Sequence, residues 1–251
     1  MMLLSFFPVA TARGEVKTRT LTYEHGGVTM KGHLAWDDAT KDKRPGVLVV
    51  HEWWGLNDYA KKRAEQLAAS GYVALAVDMY GDGKVTDHPE EAGAMAGAVR
   101  ENLQTWMGRA LAGLAALRSS ELVDGRRVAA IGYCFGGTTV LQMAYGGADL
   151  AAVVSFHGSL PVPESTQDIK ARILICHGEK DSFIPDETIK QVRAALDQGN
   201  VKYKFISYPG AVHGFTVPDA DKRGMKGVAY NAEADRRSWD EMMALFKEVL
   251  R

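Results

Sequence analysis

The sequence predicts an α/β protein: a mostly parallel central sheet with helices on both faces, preceded by an N-terminal hairpin. Three observations carry this prediction. Short continuous apolar runs recur along the chain, as expected of strands buried on both faces. Stretches with helical spacing separate them, the alternation that a parallel sheet needs for its crossovers. No internal repeat, low-complexity linker or long charge run marks a second unit, so residues 16–251 read as one domain behind a 1–15 tail.

The elements follow in order. Residues 16–24 and 28–36 alternate and flank Gly26-Gly27, a hairpin signal. Residues 46–51 form the first fully apolar strand. Residues 57–70 carry helical spacing, with Asn57 as N-cap and Gly71 as the stop. The next buried strand covers 72–77 and ends at Asp78. Residues 79–98, rich in Gly, Asp and Ala, read as a loop that enters an alanine-rich helix running to about Leu117. Residues 127–131, 151–156 and 172–176 are three more short apolar runs, and 201–208 alternates like a strand nearer an edge. Helical segments at 135–145, 186–199 and 233–250 lie between or after them.

Composition narrows the function classes. A chain of 251 residues that is 46% hydrophobic can build its core without metal or disulfide staples. Thirty Lys and Arg against 31 Asp and Glu leave a formal charge of −1, which removes the electrostatic case for a nucleic-acid or acidic-membrane partner. No apolar run reaches the ~18 residues of a membrane-spanning helix. Two cysteines exclude a disulfide framework and are too few for a cysteine-only zinc site. At the N-terminus, the apolar stretch from Leu3 and Ala10-Thr11-Ala12 have the form of an export signal with its cleavage site. No Lys or Arg precedes the stretch and Pro8 interrupts it, so cytoplasmic and exported (periplasmic) locations both stay open.

The chemistry begins at a strand-to-helix turn. Gly132-Tyr133-Cys134-Phe135-Gly136-Gly137 follows the 127–131 strand and opens the 135–145 helix. This is the context of the G-x-S-x-G nucleophile elbow, here with cysteine in the serine place. A sharp turn leaves no room for flanking side chains, hence glycine two before and two after. The thiol then projects at a helix N-terminus, where the dipole favours a thiolate. A cysteine nucleophile needs a base, and the base an orienting acid. Asp181 lies just past the 172–176 strand in Cys176-His-Gly-Glu-Lys-Asp181, and His213 just past the 201–208 strand. The chain order is nucleophile, acid, base. Val49-Val-His-Glu-Trp-Trp-Gly55 ends the 46–51 strand, where an oxyanion hole draws one backbone N–H, and the residue after the nucleophile supplies the other. That nominates the amides of Trp53 and Phe135.

Together, His51-Glu-Trp-Trp-Gly55, the 132–137 motif, His177-Gly-Glu-Lys-Asp181 and His213-Gly-Phe215 resemble the dienelactone hydrolase family over residues 28–250. The resemblance implies an α/β-hydrolase fold and a hydrolase of carboxylic esters or lactones. By that likeness Cys134 is the nucleophile, His213 the base and Asp181 its partner, and a thioester acyl-enzyme forms. Glu52 matches the family's additional carboxylate, which holds the resting thiol and helps to deprotonate it. No cofactor or metal is implied, the partner is a small ester or lactone, and the chain is a monomer or homodimer. An acyltransferase, a promiscuous phosphotriester hydrolase and a non-catalytic binding protein remain alternatives on the same scaffold. In the family an arginine four residues beyond the triad histidine grips a substrate carboxylate; here Val217 stands there. Neutral substrates are therefore expected, unless Lys222 or Arg223 compensates.

Around this constellation, Trp54, Tyr133 and Arg100 are candidate pocket residues. Cys176 reads as an apolar core residue. His51, His157 and His177 sit at strand ends like a metal cluster but lack a zinc-motif spacing, so they read as structural.

Overall fold

The computed structural model describes residues 14–251, so the signal-like segment at residues 3–12 lies outside the described residues. The hairpin forms as β1 (Val16–His25) and β2 (Val28–Asp37), turning on Gly26 and Gly27, both at positive φ. Then follow β3 (Arg44–Val50), α1 (Asp58–Ala69), β4 (Val73–Val77), α2 (Pro89–Arg100) and α3 (Leu103–Ser119). After them come β5 (Val123–Tyr133), α4 (Phe135–Tyr145), β6 (Ala152–Phe156), β7 (Arg172–Gly178), α5 (Asp186–Gln198), β8 (Tyr203–Tyr208) and α6 (Ala232–Val249). All the strands join one sheet in the order β1-β2-β4-β3-β5-β6-β7-β8. The pairs β1·β2 and β2·β4 are antiparallel and every later pair is parallel.

Strand parity divides the core in two. Leu48, Val50, Leu75, Val77 and Ala130 face α2, α3, α4 and α5. Val47, Val49, Ala74, Ala76, Ile131 and Tyr133 face α1 and α6. Because both faces are covered, the central strands are apolar without alternation, which is why they stood out in the sequence.

Two readings are corrected. The alanine-rich stretch is not one helix: the chain breaks between α2 and α3 at Asn102, whose backbone is extended and whose side chain accepts from the Thr105 N–H. An Asn can satisfy a free helix N–H from outside the helix, so it starts a new helix where a continuing one would waste that bond. The loop after β4 ends earlier than expected, at His88, because Pro89 is preorganised for the first helical turn. Asn57 caps α1 as expected, accepting from the Ala60 N–H at 3.3 Å.

Candidate active site

The candidate catalytic residues and Trp53 sit beyond the carboxyl ends of parallel strands, where open α/β sheets place their ligands. Glu52 and Trp53 follow β3, Cys134 follows β5, Asp181 follows β7 and His213 follows β8.

The elbow is made by close packing. Cys134 has φ 52° and ψ −110°, outside the regions open to ordinary residues. A Cβ on Gly132 would stand 2.0 Å from the Gly136 carbonyl oxygen, and one on Gly136 would stand 2.1 Å from that of Val50. Only glycine fits at either place, so the motif is steric in origin. The Cys134 N–H donates to the Phe156 carbonyl at 3.0 Å and its own carbonyl accepts from Thr138, which ties the strained turn to β6 and to α4.

His213 lies between the thiol and the carboxylate. Its Nδ1 is 2.8 Å from Asp181 Oδ2, and it shares the pocket wall with Cys134. Asp181 is buried, and its second oxygen accepts from the Phe183 N–H at 3.0 Å. The imidazole plane is set by edge contacts with His157 and Phe183, each 5.2 Å between ring centres. Burial alone pushes the His213 pKa down. The negative charge of Cys134 and the Asp181 hydrogen bond outweigh it and raise the pKa to about 10.

Glu52 is buried, with Oε2 lacking a hydrogen-bond partner among the described residues. Desolvation raises its pKa, while Arg223 and His213 partly oppose the shift. Trp53 and Trp54 meet edge to face, 4.8 Å apart, and wall a pocket of about 240 Å³ that opens onto Cys134 and His213. Among the described residues, the Trp53 and Phe135 N–H groups donate to no protein acceptor.

The remaining candidates divide. Arg100 reaches the pocket from the end of α2, its guanidinium 5.1 Å from the centre of the Phe135 ring. Tyr133 does not line the pocket. It is fully buried on the α1/α6 face, stacked 4.8 Å from Phe156, because it shares the parity of Ile131 while the pocket opens above the strand ends. The Phe135 side chain is likewise in the core, under α3 against Trp106. Cys176 is buried beside Tyr208, its thiol pushed up to about 12 by burial. His157 Nε2 meets the Thr216 hydroxyl at 2.8 Å, and His177 is buried with burial lowering its pKa.

Phe183, Ser159, Met225 and Val228 also line the pocket and were not singled out from sequence. Phe183 had a usable signal, two residues past Asp181; the others had none. Val217 and Arg223 both face the pocket, with Arg223 stacked 4.1 Å above Trp54, whereas Lys222 is exposed and paired with Asp219 at 2.8 Å.

A mostly parallel sheet with a sharp strand-to-helix turn after its fifth strand and the candidate residues on loops at the strand ends defines an α/β hydrolase. An α/β hydrolase from a Medee basin deep-sea metagenome library shares the fold at TM-score 0.71 and 18% identity, covering 94% of this chain and 98% of that one. The chain belongs to the dienelactone hydrolase family, whose model matches residues 30–250. A dienelactone hydrolase-like promiscuous phosphotriesterase from metagenomic libraries is similar at 41% identity and TM-score 0.90, covering 95% of this chain and all of that one. An Escherichia coli K12 protein provisionally named a carboxymethylenebutenolidase is 30% identical, across 88% of this chain and 83% of its own. The protein is a dienelactone hydrolase-like hydrolase.

Proposed function

We propose that the protein hydrolyses small carboxylic esters or lactones by nucleophilic acyl transfer from Cys134. The observation that carries this reading is His213, bonded through Nδ1 to buried Asp181 and lining the same pocket as Cys134, whose charge raises the imidazole pKa. The Asp181 bond leaves Nε2 as the nitrogen that exchanges protons with sulfur. The Cys134 thiolate attacks the carbonyl carbon, and its electron pair moves to oxygen. The Trp53 and Phe135 N–H groups, free of protein acceptors, meet that oxyanion. Collapse breaks the bond to the leaving oxygen, which takes the His213 proton. Water then attacks the thioester as His213 accepts its proton, and the departing sulfur returns to the resting state.

Of the two routes the sequence left open for compensating Val217, Arg223 is the one that reaches the pocket. Arg223 and Arg100 line the pocket, their guanidinium groups lying against Trp54 and Phe135 respectively. A pocket with an indole wall and two guanidinium groups suits an acyl group that carries a carboxylate of its own. Phosphotriester cleavage by the same thiolate is a second reading, favoured by the 41% identical promiscuous phosphotriesterase.

Mass spectrometry of the protein mixed with an activated ester tests the reading. A transient acyl adduct on Cys134 with turnover is the expected result. Lack of an adduct supports a binding protein, and esterification of an added acceptor supports transfer. Cys134→Ala should lose turnover on the order of 10³-fold or more while folding normally. A variant that keeps a tenth of the activity refutes the mechanism.

A further inference from the structure

The loop carrying Glu52 and Trp53 is clamped by groups that none of these chemical steps uses. His51 is fully buried at the end of β3. Its Nε2 lies 3.1 Å from the Met79 backbone nitrogen, and its Nδ1 contacts the Glu52 carbonyl oxygen. A backbone N–H only donates and a carbonyl only accepts, so the tautomer has no alternative: Nε2 is bare and Nδ1 carries the hydrogen. Burial lowers the His51 pKa to about 4, which keeps the ring neutral.

The consequence lies in the geometry of one peptide unit. The Glu52 C=O and the Trp53 N–H share a trans peptide plane, in which they point in opposite directions. Holding the oxygen against His51 therefore aims the Trp53 N–H the other way. The next carbonyl, that of Trp53, accepts from the Tyr80 hydroxyl at 2.8 Å. Both clamps are anchored in the segment after β4, through Met79 and Tyr80, and that segment is itself held by hydrogen bonds. Asp78 accepts from the Tyr80 and Gly81 N–H groups at 3.0 and 2.8 Å, and Arg109 donates to the Met79 and Tyr80 carbonyls at 2.8 and 3.1 Å.

We propose that His51 is a positioning residue whose Nδ1–H fixes the Glu52–Trp53 peptide so that the Trp53 N–H meets the developing oxyanion, with Tyr80 as the second clamp. This rests on the Cys134 acyl-transfer reading. It predicts a defect in the transition state alone, because only there does the carbonyl oxygen carry charge.

The test compares two amides at position 51. In His51→Asn, the amide N–H₂ falls near Nδ1 and can still donate to the Glu52 carbonyl. In His51→Gln, the amide oxygen falls near Nε2 and can accept from Met79, but the donor to Glu52 is lost. With p-nitrophenyl acetate, His51→Gln should lose about 10- to 100-fold in kcat, below the ~10²–10³ for deleting an oxyanion donor outright, with KM nearly unchanged. His51→Asn should recover most of that loss. Alkylation of Cys134 by iodoacetamide expels iodide without forming an oxyanion, so its rate should match wild type in both variants. Tyr80→Phe, which removes one hydroxyl, should show a smaller defect of the same kind and serves if the position 51 variants do not fold. Equal kcat in the two amide variants, or alkylation falling in step with kcat, overturns the proposal. Failure of the acyl-transfer reading shows separately, as turnover surviving in Cys134→Ala.

Discussion

Gly136→Ala is a severe probe of the elbow because two rules predict opposite signs. Gly136 lies inside α4 at an ordinary negative φ, where alanine is favoured over glycine by up to ~1 kcal/mol. Its new methyl, however, would stand 2.1 Å from the Val50 oxygen, 2.6 Å from the Val50 carbonyl carbon and 2.7 Å from the His51 oxygen. All three are backbone atoms at the end of β3, so no rotamer change relieves the clash. The start of α4 and the end of β3 must separate by roughly 1 Å or more to restore ordinary contact. Overpacking of this kind costs about 1–3 kcal/mol, or more where backbone must move. At ~2–4 °C per kcal/mol for a chain of this size, Tm should fall by roughly 2–12 °C. The same separation moves the Phe135 amide away from the Trp53 amide, since one rides on α4 and the other on the loop after β3. Misplacement by ~1 Å can cost about 10²-fold in rate. The expected result is kcat near one-hundredth of wild type, measured with an aryl ester well below Tm. Gly97→Ala is the control, because nothing lies within 4 Å of a Cβ there and stability should hold or rise. A Gly136→Ala protein with Tm at or above wild type and kcat within about threefold of it would refute the steric account of the motif.

Arg223→Gln should reduce kcat/KM for a carboxylated dienelactone by roughly 10- to 100-fold and leave a neutral aryl ester nearly unaffected, since one charge-assisted pair is at stake. Equal losses on both substrates would show that Arg223 only braces Trp54. Glu52→Gln should slow ester turnover less than Cys134→Ala does, and should speed iodoacetamide alkylation by removing a carboxylate that disfavours a second negative charge nearby. An unchanged alkylation rate across pH 6–9 would place Glu52 outside the electrostatic reach of the sulfur. For His213, the folded pKa of about 10 exceeds its ordinary value of about 6.5. Its contribution to stability is thus whole below about pH 6.5 and is lost as pH rises through about 10. Thermal scans should show wild type losing stability relative to His213→Gln between pH 7 and pH 10; parallel curves would contradict this.

Much of the molecule could be read locally. The runs that became β3, β4, β5, β6 and β7 are apolar throughout because helices cover both faces, and burial leaves its mark residue by residue. The glycines around Cys134 were legible because they flank the nucleophile at fixed spacing, although Gly132 avoids a clash four residues away and Gly136 one with the distant end of β3. The order Cys134, Asp181, His213 was legible because parallel strands deliver their following loops to one edge of the sheet.

Other features depended on partners far apart in the chain. Tyr133 adjoins the nucleophile in sequence yet packs beneath Arg63 and against Phe156, since successive side chains of a strand leave opposite faces. Arg223 carries no motif; the short turn Ala220–Arg223 brings it back over Trp54, into the pocket that Val217 also lines. His51 reads as a structural histidine from sequence, and its bond to the Met79 N–H, 28 residues away, is a contact that no local pattern announces. Periodicity and local sterics are written in neighbouring residues, so the sequence alone determined the fold, the elbow and the order in which Cys134, Asp181 and His213 follow their strands. The charge of the pocket and the contacts that hold the Glu52–Trp53 peptide arise where separate strand ends meet, and only tertiary packing decided them.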